Sequence, residues 1–387
     1  MTLLNPPSAP ARPSLCFVNL DAYPALVPGY ESHRIGGEEV QHSLLSTMFA
    51  AKGYDVHLVT ADFGQPDGQA VRGVRVLRSF RAEAGLPVVR FVHPRWTGLH
   101  AALRRANSDV YYVSCAGALV GWVAWFARRH RRRVIFRVAS DTDCDPNRLL
   151  VTHARDRWLY HYGLHRADAV LAQTDHQVAL LKANYGIQSV VAPMVLDVPV
   201  LESLQGERDI DVLWVANMRV LKRPELFVQL AQQLPNRRFH LVGGSMRDEP
   251  EVYARVCSLA AAVPNLTLHG RVGFHDTLAL VNRARLFVST SLIEGFPNTF
   301  LQAWAREVPT VSFFDPDGLV TRHGLGLRAD TSEQMRAQID ALLSDPTGLA
   351  NMSASCGRFM RQRYERNELL QPYAAVFSSP SRAASTP

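Results

Sequence analysis

Short apolar runs alternate with longer amphipathic stretches along the whole chain. Residues 14–20 and 55–60 are apolar runs of strand length, and between them apolar residues recur at helical spacing from Val40 to Gly53. A strand, a helix and a second strand in this order are typical of a parallel βαβ unit. The same alternation continues through both halves of the chain, which predicts an α/β protein with two Rossmann-like domains.

A polar and irregular stretch divides this pattern in two. Residues 199–207 are predicted to link an N-terminal domain at 14–198 to a C-terminal domain at 208–365. A last helical stretch is predicted at 366–378. The two tails, 1–13 and 379–387, are predicted to be disordered.

Composition is that of an ordinary soluble globular protein. Hydrophobic residues make up 47% and charged residues 20% of the chain, and no apolar run is long enough to span a bilayer. Five scattered cysteines favour a reducing compartment without structural zinc. Since the N-terminus lacks the features of a secretory signal, we expect a cytoplasmic protein, or one on the cytosolic face of the inner membrane.

The net charge is modestly positive, at +7. This excess suits polyanionic ligands such as diphosphates or an anionic membrane surface, and it is too unspecific to indicate nucleic acid. An apolar helical stretch with Trp122 and Trp125 ends in an arginine-rich run at 128–133. Two interpretations stay open: a peripheral membrane patch, or a helix packed on a sheet whose C-terminal cations stabilise the helix dipole.

The most informative stretch joins a predicted strand at 285–290 to a predicted helix that begins near Thr299. Pro297 is tolerated in the first turn of a helix, and Asn298 is a natural N-cap. Free N–H groups at such a helix start can bind an anion. Glu294 stands just ahead of them, so the stretch combines phosphate donors with a carboxylate for sugar hydroxyls and predicts a sugar-nucleotide site.

This stretch resembles the signature of the family-4 retaining glycosyltransferases of GT-B fold, also called glycosyl transferases group 1. That signature is a Glu followed by Gly-Phe-Pro-Asn, with a second Glu eight positions after the first. The resemblance implies that Glu294 meets the donor sugar and that position 302 meets the ribose. Here position 302 is Gln302, which bonds hydroxyls without charge, so either weaker donor binding or a drift away from catalysis is expected.

Two other segments support phosphate binding. Gly36 and Gly37 precede a helix, where glycine permits either a tight turn or close contact with a phosphate. The resemblance favours the phosphate. Lys222 follows a strand near Arg219, and the family holds the donor diphosphate with a basic pair at these places. A solvated surface lysine is the ordinary alternative.

The loop after the predicted strand at 134–139 contains Ser140 and Asp141, where many family members have a donor-contacting His. Asp141 or Asp143 could accept a hydrogen bond from a sugar or acceptor hydroxyl, or could cap the turn and following helix. These two aspartates resemble a metal-binding Asp-x-Asp motif but lie in the domain away from the donor. No metal and no cofactor beyond the donor are therefore predicted.

The resemblance and the residues together give one set of expected donor contacts. They are Gly36, Gly37, Arg219, Lys222, Gly243, Arg271, Glu294, Gly295, Phe296, Pro297, Asn298, Thr299 and Gln302. Arg271 lies in a Gly turn and could stack on the base, or could simply be exposed. The expected catalytic residues are Glu294, Lys222 and Asp141.

The resemblance implies a GT-B enzyme whose C-terminal domain binds the donor and whose last helix crosses back to the N-terminal domain. It implies transfer of a sugar from a UDP- or GDP-sugar to a glycan or lipid-linked acceptor, with retention, in bacterial surface polysaccharide biosynthesis. Lys222 and helix N–H groups would stabilise the leaving diphosphate without a metal. Two alternatives stay open: a catalytically silent partner that binds sugar nucleotides or glycans, and a nucleotide-sugar epimerase.

Overall fold

The computed structural model describes residues 12–27, 29–30, 35–86, 89–196, 207–246, 248–363 and 366–379. Three sequence predictions fall partly outside these residues. They concern most of the linker, most of the N-terminal tail and nearly all of the C-terminal tail: residues 199–206, 1–11 and 380–387.

The first sheet has eight strands in the order β3-β4-β2-β1-β5-β6-β7-β8. β3 pairs antiparallel with β4, and the other pairings are parallel. The strands are β1 Leu15–Val18, β2 Val56–Thr60, β3 Ala70–Val71, β4 Val74–Arg78, β5 Val110–Ser114, β6 Arg133–Arg137, β7 Ala169–Ala172 and β8 Val190–Val191.

The second sheet has six parallel strands in the order β11-β10-β9-β12-β13-β14. They are β9 Ile210–Val215, β10 Phe239–Val242, β11 Leu266–Gly270, β12 Ala284–Ser289, β13 Thr310–Ser312 and β14 Gly326–Arg328. Helices follow the strands of both sheets, as parallel connections require.

Over the described residues, no helix combines the length and the apolar character needed to cross a bilayer.

The α-helices are α1 Tyr23–Leu26, α2 Gly37–Ala51, α3 Thr97–Ala106, α4 Ala118–Arg129, α5 Ala154–Arg166, α6 Asp175–Tyr185, α7 Pro224–Gln233, α8 Pro250–Ala260, α9 Phe274–Arg283, α10 Asn298–Trp304, α11 Leu319–Arg322, α12 Ser332–Ser344, α13 Pro346–Arg363, α14 Arg366–Leu369 and α15 Gln371–Ser378.

Strand β1 shows why the strands are continuous apolar runs rather than alternating ones. Its side chains point alternately to the two faces of the sheet, and each face is covered by helices. Leu15 and Phe17 belong to the core cluster on one face. Cys16 and Val18 belong to the cluster on the other face. The run 14–20 is therefore apolar at every buried position.

Helix α15 packs on the first sheet although it follows the second sheet in sequence. Its Phe377 ring lies 6.2 Å from Phe17 and 5.0 Å from Phe49, centroid to centroid. The guanidinium of Arg133 donates to the carbonyl oxygens of Val376 and Phe377, each at 2.7 Å. The chain thus returns to the first domain before it leaves the described region.

Candidate active site

A cleft of about 450 Å³ lies between the two sheets. Its walls are the loops that follow the carboxyl ends of parallel strands, where ligands of open α/β sheets bind. Cys115, Ala139 and Gln173 follow β5, β6 and β7 on one side. On the other side Ala216 and Gly243 follow β9 and β10. The cleft therefore lies between the edges of the two sheets at which the parallel strands end.

All of the residues predicted to contact the donor line this cleft. They are Gly36, Gly37, Arg219, Lys222, Gly243, Arg271, Glu294, Gly295, Phe296, Pro297, Asn298, Thr299 and Gln302. Asp141 is not among the lining residues.

Lys222 and Glu294 form an ion pair inside the cleft. The Lys222 ammonium donates directly to Oε1 of Glu294. Their side chains are 21% and 15% exposed, so the charges interact with less screening than a surface pair. Either charge remains within reach of a ligand of opposite sign.

Thr290 holds the segment that carries Lys222 against the end of β12. Its hydroxyl donates to the carbonyl oxygens of Lys222 at 2.7 Å and of Arg223 at 3.0 Å, and it accepts from the indole N–H of Trp214 at 2.9 Å. The backbone N–H of Leu292 donates to the carbonyl of Leu221 at 3.0 Å. The position of the Lys222 ammonium is therefore set by the same strand end that leads to Glu294.

The other two cationic residues of this wall already have partners. Arg219 donates to the Asp248 carboxylate at 2.5 Å and lies 3.7 Å from Glu249. Arg271 donates to the carbonyl oxygen of Ser245 at 2.7 Å, with its guanidinium against the backbone of Gly244. Arg219 thus has its charge compensated by two carboxylates, whereas Arg271 remains in the cleft wall with a neutral partner.

The glycines of the lining permit close backbone contact. A Cβ on Gly243 would stand 2.1 Å from the carbonyl oxygen of Ala216, at the tip of the neighbouring strand. A Cβ on Gly37 would stand 2.9 Å from the Asn298 amide nitrogen. Gly36 is the N-cap of the 15-residue helix α2 and has no side chain to cap that end, and Glu38 and Glu39 lie in the first turn. The start of α2, with its backbone N–H groups and the carboxylates of its first turn, therefore borders the cleft.

The prediction that Asn298 caps a helix is wrong. The cap position of α10 is Pro297, whose side chain makes no capping hydrogen bond. The Asn298 amide nitrogen instead donates to the carbonyl of Gly37 at 2.8 Å, while its oxygen accepts from Gln41 at 3.0 Å. Those partners lie on α2 of the other domain. The Asn298 side chain therefore makes hydrogen bonds across the cleft instead of capping its own helix.

A buried polar group on the first domain was not predicted. Arg137 is completely buried at the end of β6, and its guanidinium lies 3.4 Å from Oε1 of Glu38. Burial alone lowers the pKa of Arg137, but Tyr373, Tyr112 and Glu38 together raise it above its ordinary value, so the guanidinium is charged. An arginine inside the otherwise apolar run 134–139 was the sequence signal for this group.

Gln173 is a second cleft residue that was not predicted from the sequence. Its Oε1 accepts from the backbone N–H of Phe296 at 2.6 Å. Its amide nitrogen donates to Oε1 of Glu38 at 3.2 Å. A polar residue directly after the apolar run of β7 marks its place at a strand end, but nothing local indicates these partners.

The aspartates of the β6 loop are held by their own surroundings. Asp143 accepts from the backbone N–H of Ala139 at 2.9 Å, and burial raises the pKa of Asp143 to about 6. Asp141 accepts from the Gln177 amide at 3.1 Å and lies 3.8 Å from the His176 ring. Burial raises the pKa of Asp141 as well. Asp143 therefore stabilises its own turn, as one of the two open interpretations expected.

No group of three or more His, Cys, Asp or Glu side chains in the described ranges has the geometry to hold a metal ion.

Two family models match the chain. The model described as "Glycosyl transferases group 1" matches residues 209–345, and the one described as "Glycosyl transferase 4-like domain" matches residues 36–194. No curated protein matches the chain.

Several solved structures share the fold over nearly the full length. A sucrose-phosphate synthase from Thermosynechococcus elongatus superposes with a TM-score of 0.75 at 18% identity, covering 95% of this chain and 98% of that chain. HepE from Anabaena, in complex with UDP and glucose, gives 0.72 at 13%, covering 95% and 100%. WaaG, a glycosyltransferase involved in lipopolysaccharide biosynthesis, gives 0.68 at 13%, covering 95% and 100%. The predicted GT-B fold with two Rossmann-like domains is confirmed.

Proposed function

We propose that this chain, which belongs to the glycosyl transferases group 1 family, moves a sugar from a nucleotide sugar to a hydroxyl of a glycan or lipid-linked acceptor, with retention of the anomeric configuration. The observation that carries the proposal is the Lys222–Glu294 pair in the interdomain cleft. A cation for phosphate and a carboxylate for sugar hydroxyls stand side by side there, which is the combination that a sugar diphosphate needs.

The donor is proposed to lie along the second domain. Its diphosphate would sit between the Lys222 ammonium and the helix start at Gly36 and Gly37, where backbone N–H groups can bind phosphate oxygens. The base would lie toward Arg271, and the ribose toward the uncharged Gln302. UDP and glucose in the HepE structure support a UDP-sugar as the first donor to test, with a GDP-sugar as the second.

The reaction exchanges one bond for another at the anomeric carbon. The bond from this carbon to the diphosphate oxygen breaks, and a bond to the acceptor oxygen forms on the same face. The acceptor proton passes to the leaving diphosphate. Lys222 and the α2 N–H groups would stabilise the charge that develops there, and Glu294 would hold the sugar hydroxyls and favour positive charge at the ring.

The acceptor is proposed to enter along the first domain. Asp141 would accept a hydrogen bond from an acceptor hydroxyl, since it lies on the β6 loop two residues after the lining residue Ala139. A role in bacterial surface polysaccharide synthesis, from the cytoplasm, is consistent with this assignment.

Peripheral membrane contact is proposed for one face of the first domain. This face, the Trp125 face, is proposed to comprise the exposed side chains of Val89, Val92, Trp125 and Trp158 and the exposed arginines 128, 129 and 131. Exposed tryptophans beside cations suit an anionic lipid surface. Arg128 and Arg129 would serve this purpose while also lying in the last turn of α4.

The deciding experiment is nucleotide release from UDP-, GDP- and ADP-sugars, with and without a bacterial lipid extract, for the native protein and Glu294→Ala. Release that needs Glu294 supports the transferase and identifies the donor. Nucleotide binding without release in any mixture would favour the silent partner instead. A product with inverted configuration, read from its anomeric NMR coupling, would contradict retention. Product sugar free of any acceptor and changed at one carbon would favour the epimerase.

A further inference from the structure

The 294–298 loop, which contains Glu294, is held by the first domain as well as by its own. The backbone N–H of Phe296 donates to Oε1 of Gln173 at 2.6 Å. The other end of the same amide donates from Nε2 to Oε1 of Glu38 at 3.2 Å. One side chain, 5% exposed, therefore joins the loop of the second domain to a carboxylate of the first.

The orientation of this amide is determined by its partners. If it were flipped, its N–H group would face the N–H of Phe296, and its oxygen would face the Glu38 carboxylate. Both contacts would be repulsive. Glu38 is itself held by Arg137, which has no exposed surface. Gln173 is further fixed through its backbone N–H, which donates to Oε1 of the completely buried Gln177 at 2.8 Å.

Gly295 shows how closely the loop approaches the first domain. A Cβ at this position would stand 2.4 Å from Oε1 of Gln173 and 2.5 Å from the carbonyl oxygen of Ala139. The two residues that follow Glu294 are thus in contact with the first domain, whereas the Glu294 carboxylate reaches Lys222 in the second. The place of this carboxylate depends on both domains together.

We propose that Gln173 is a positioning residue: its side-chain amide couples Glu38 of the first domain to the backbone of the 294–298 loop, and so sets where the Glu294 carboxylate stands in the closed cleft. The effect on turnover rests on the proposed function, while the coupling itself does not. Gln173 acts through the loop and need not touch the donor.

The first test replaces Gln173 by alanine. Gln65→Ala is the matched control, because Gln65 is equally buried in the first domain and also accepts from a backbone N–H, that of Phe63, at 2.7 Å. Gln65 is not a cleft-lining residue. We expect Gln173→Ala to lower kcat about 10- to 100-fold, because misplacement of a catalytic group has effects of this size. The Kd for UDP should change by less than about threefold, and Gln65→Ala should leave kcat unchanged.

The second test is Gln173→Glu, which keeps an acceptor for the Phe296 N–H but places a carboxylate against Glu38. Two carboxylates at this distance share one proton, so lowering the pH restores a donor to Glu38. We expect the ratio of Gln173→Glu to native kcat to rise as the pH falls, whereas the ratio for Gln173→Ala stays flat. Equal ratios for both variants at every pH would overturn the proposal.

A third measurement does not need activity. Hydrogen exchange of the backbone amides of Gly295 and Phe296, in the full chain without ligand, should be about tenfold faster in Gln173→Ala than in the native protein, and unchanged in Gln65→Ala. Unchanged exchange in Gln173→Ala would overturn the coupling. Faster exchange in a protein that never releases nucleotide would retain the coupling and reject the transferase.

Discussion

The side-chain amide of Asn298 donates to the carbonyl oxygen of Gly37 across the cleft, at 2.8 Å. One residue opens the helix after the 294–298 loop, and the other opens helix α2 of the other domain. The starts of two helices are therefore linked by one hydrogen bond. Gln41 adds a second contact from α2 to the oxygen of the same amide, at 3.0 Å.

We expect Asn298→Asp to lower kcat/KM by about tenfold or more, because a carboxylate oxygen would face the carbonyl oxygen of Gly37 and push the helix starts apart. Asn184→Asp is the control. Asn184 donates to the carbonyl oxygen of Cys144, also at 2.8 Å, but both residues lie in the first domain. Steady-state nucleotide release measures both variants. Equal losses in the two would show that the contact across the cleft has no special role.

The Lys222–Glu294 pair should show coupling in the free protein. Since both side chains are largely buried, Lys222→Met or Glu294→Gln leaves one charge without its partner, and we expect a coupling energy of about 1–3 kcal/mol in a double-mutant cycle of urea unfolding. The more exposed pair Arg255–Glu225, at 2.9 Å, serves as the control, with a coupling below about 1 kcal/mol. Additive single variants at the cleft would refute the prediction. Both cleft variants should also reduce nucleotide release at least about 100-fold.

Asp143 should make the stability of the protein fall as the pH rises. Burial raises its pKa from 3.8 to about 6, so between these values the folded chain holds a proton that the unfolded chain has released. Its contribution is complete below about pH 4 and is lost as the pH rises to about 6. The free energy of unfolding of Asp143→Asn, measured with urea and taken relative to that of the native protein, should therefore rise by about 1–3 kcal/mol from pH 4 to pH 7.

Asp109 provides the opposite sign as a control. Although burial raises the pKa of Asp109, hydrogen bonds from Ser14 and the charge of Arg132 lower it overall. The stability that Asp109 contributes is present above its unfolded pKa and is lost on acidification. Asp109→Asn should lose stability relative to the native protein as the pH rises. The same sign for both variants would show that the burial of Asp143 does not govern its titration.

The Trp125 face should bind anionic vesicles. Because an exposed indole gains most at the lipid interface, we expect Trp125→Ser to lower the fraction that sediments with phosphatidylglycerol vesicles at low salt by about threefold or more. Leu259→Ser is the control, since Leu259 is 41% exposed, close to the 43% of Trp125, and lies on α8 of the second domain. A native protein that stays in the supernatant would refute the membrane contact.

The place of Glu294 and Lys222 at the cleft could be predicted from the local sequence pattern together with the family resemblance. Glu294 and Lys222 each follow an apolar run that forms a strand, and strand ends of a parallel sheet converge at one edge. No comparable pattern identified Gln173 or Glu38. Gln173 and Phe296 are 123 positions apart, and Glu38 and Arg137 are 99 apart, so only the relative placement of helices and domains brings them together.

Asn298 also shows that neighbouring residues cannot predict partners that are distant in sequence. Its residue type and its place before a helix favoured a cap, since a short polar side chain at a helix start usually bonds the nearest free N–H groups. The carbonyl of Gly37 and the amide of Gln41 compete for the same atoms from 261 and 257 positions away. A prediction from neighbouring residues cannot include such competitors.

Helix α15 has a consequence for the order in which the two halves can be finished during synthesis. Phe377 fills a space beside Phe17 in the core of the first sheet, and Arg133 of that sheet is anchored to the last turn of the helix. Residues 371–378 leave the ribosome after the whole second sheet. The first domain can therefore cover this part of its apolar core only after the second domain has been synthesised.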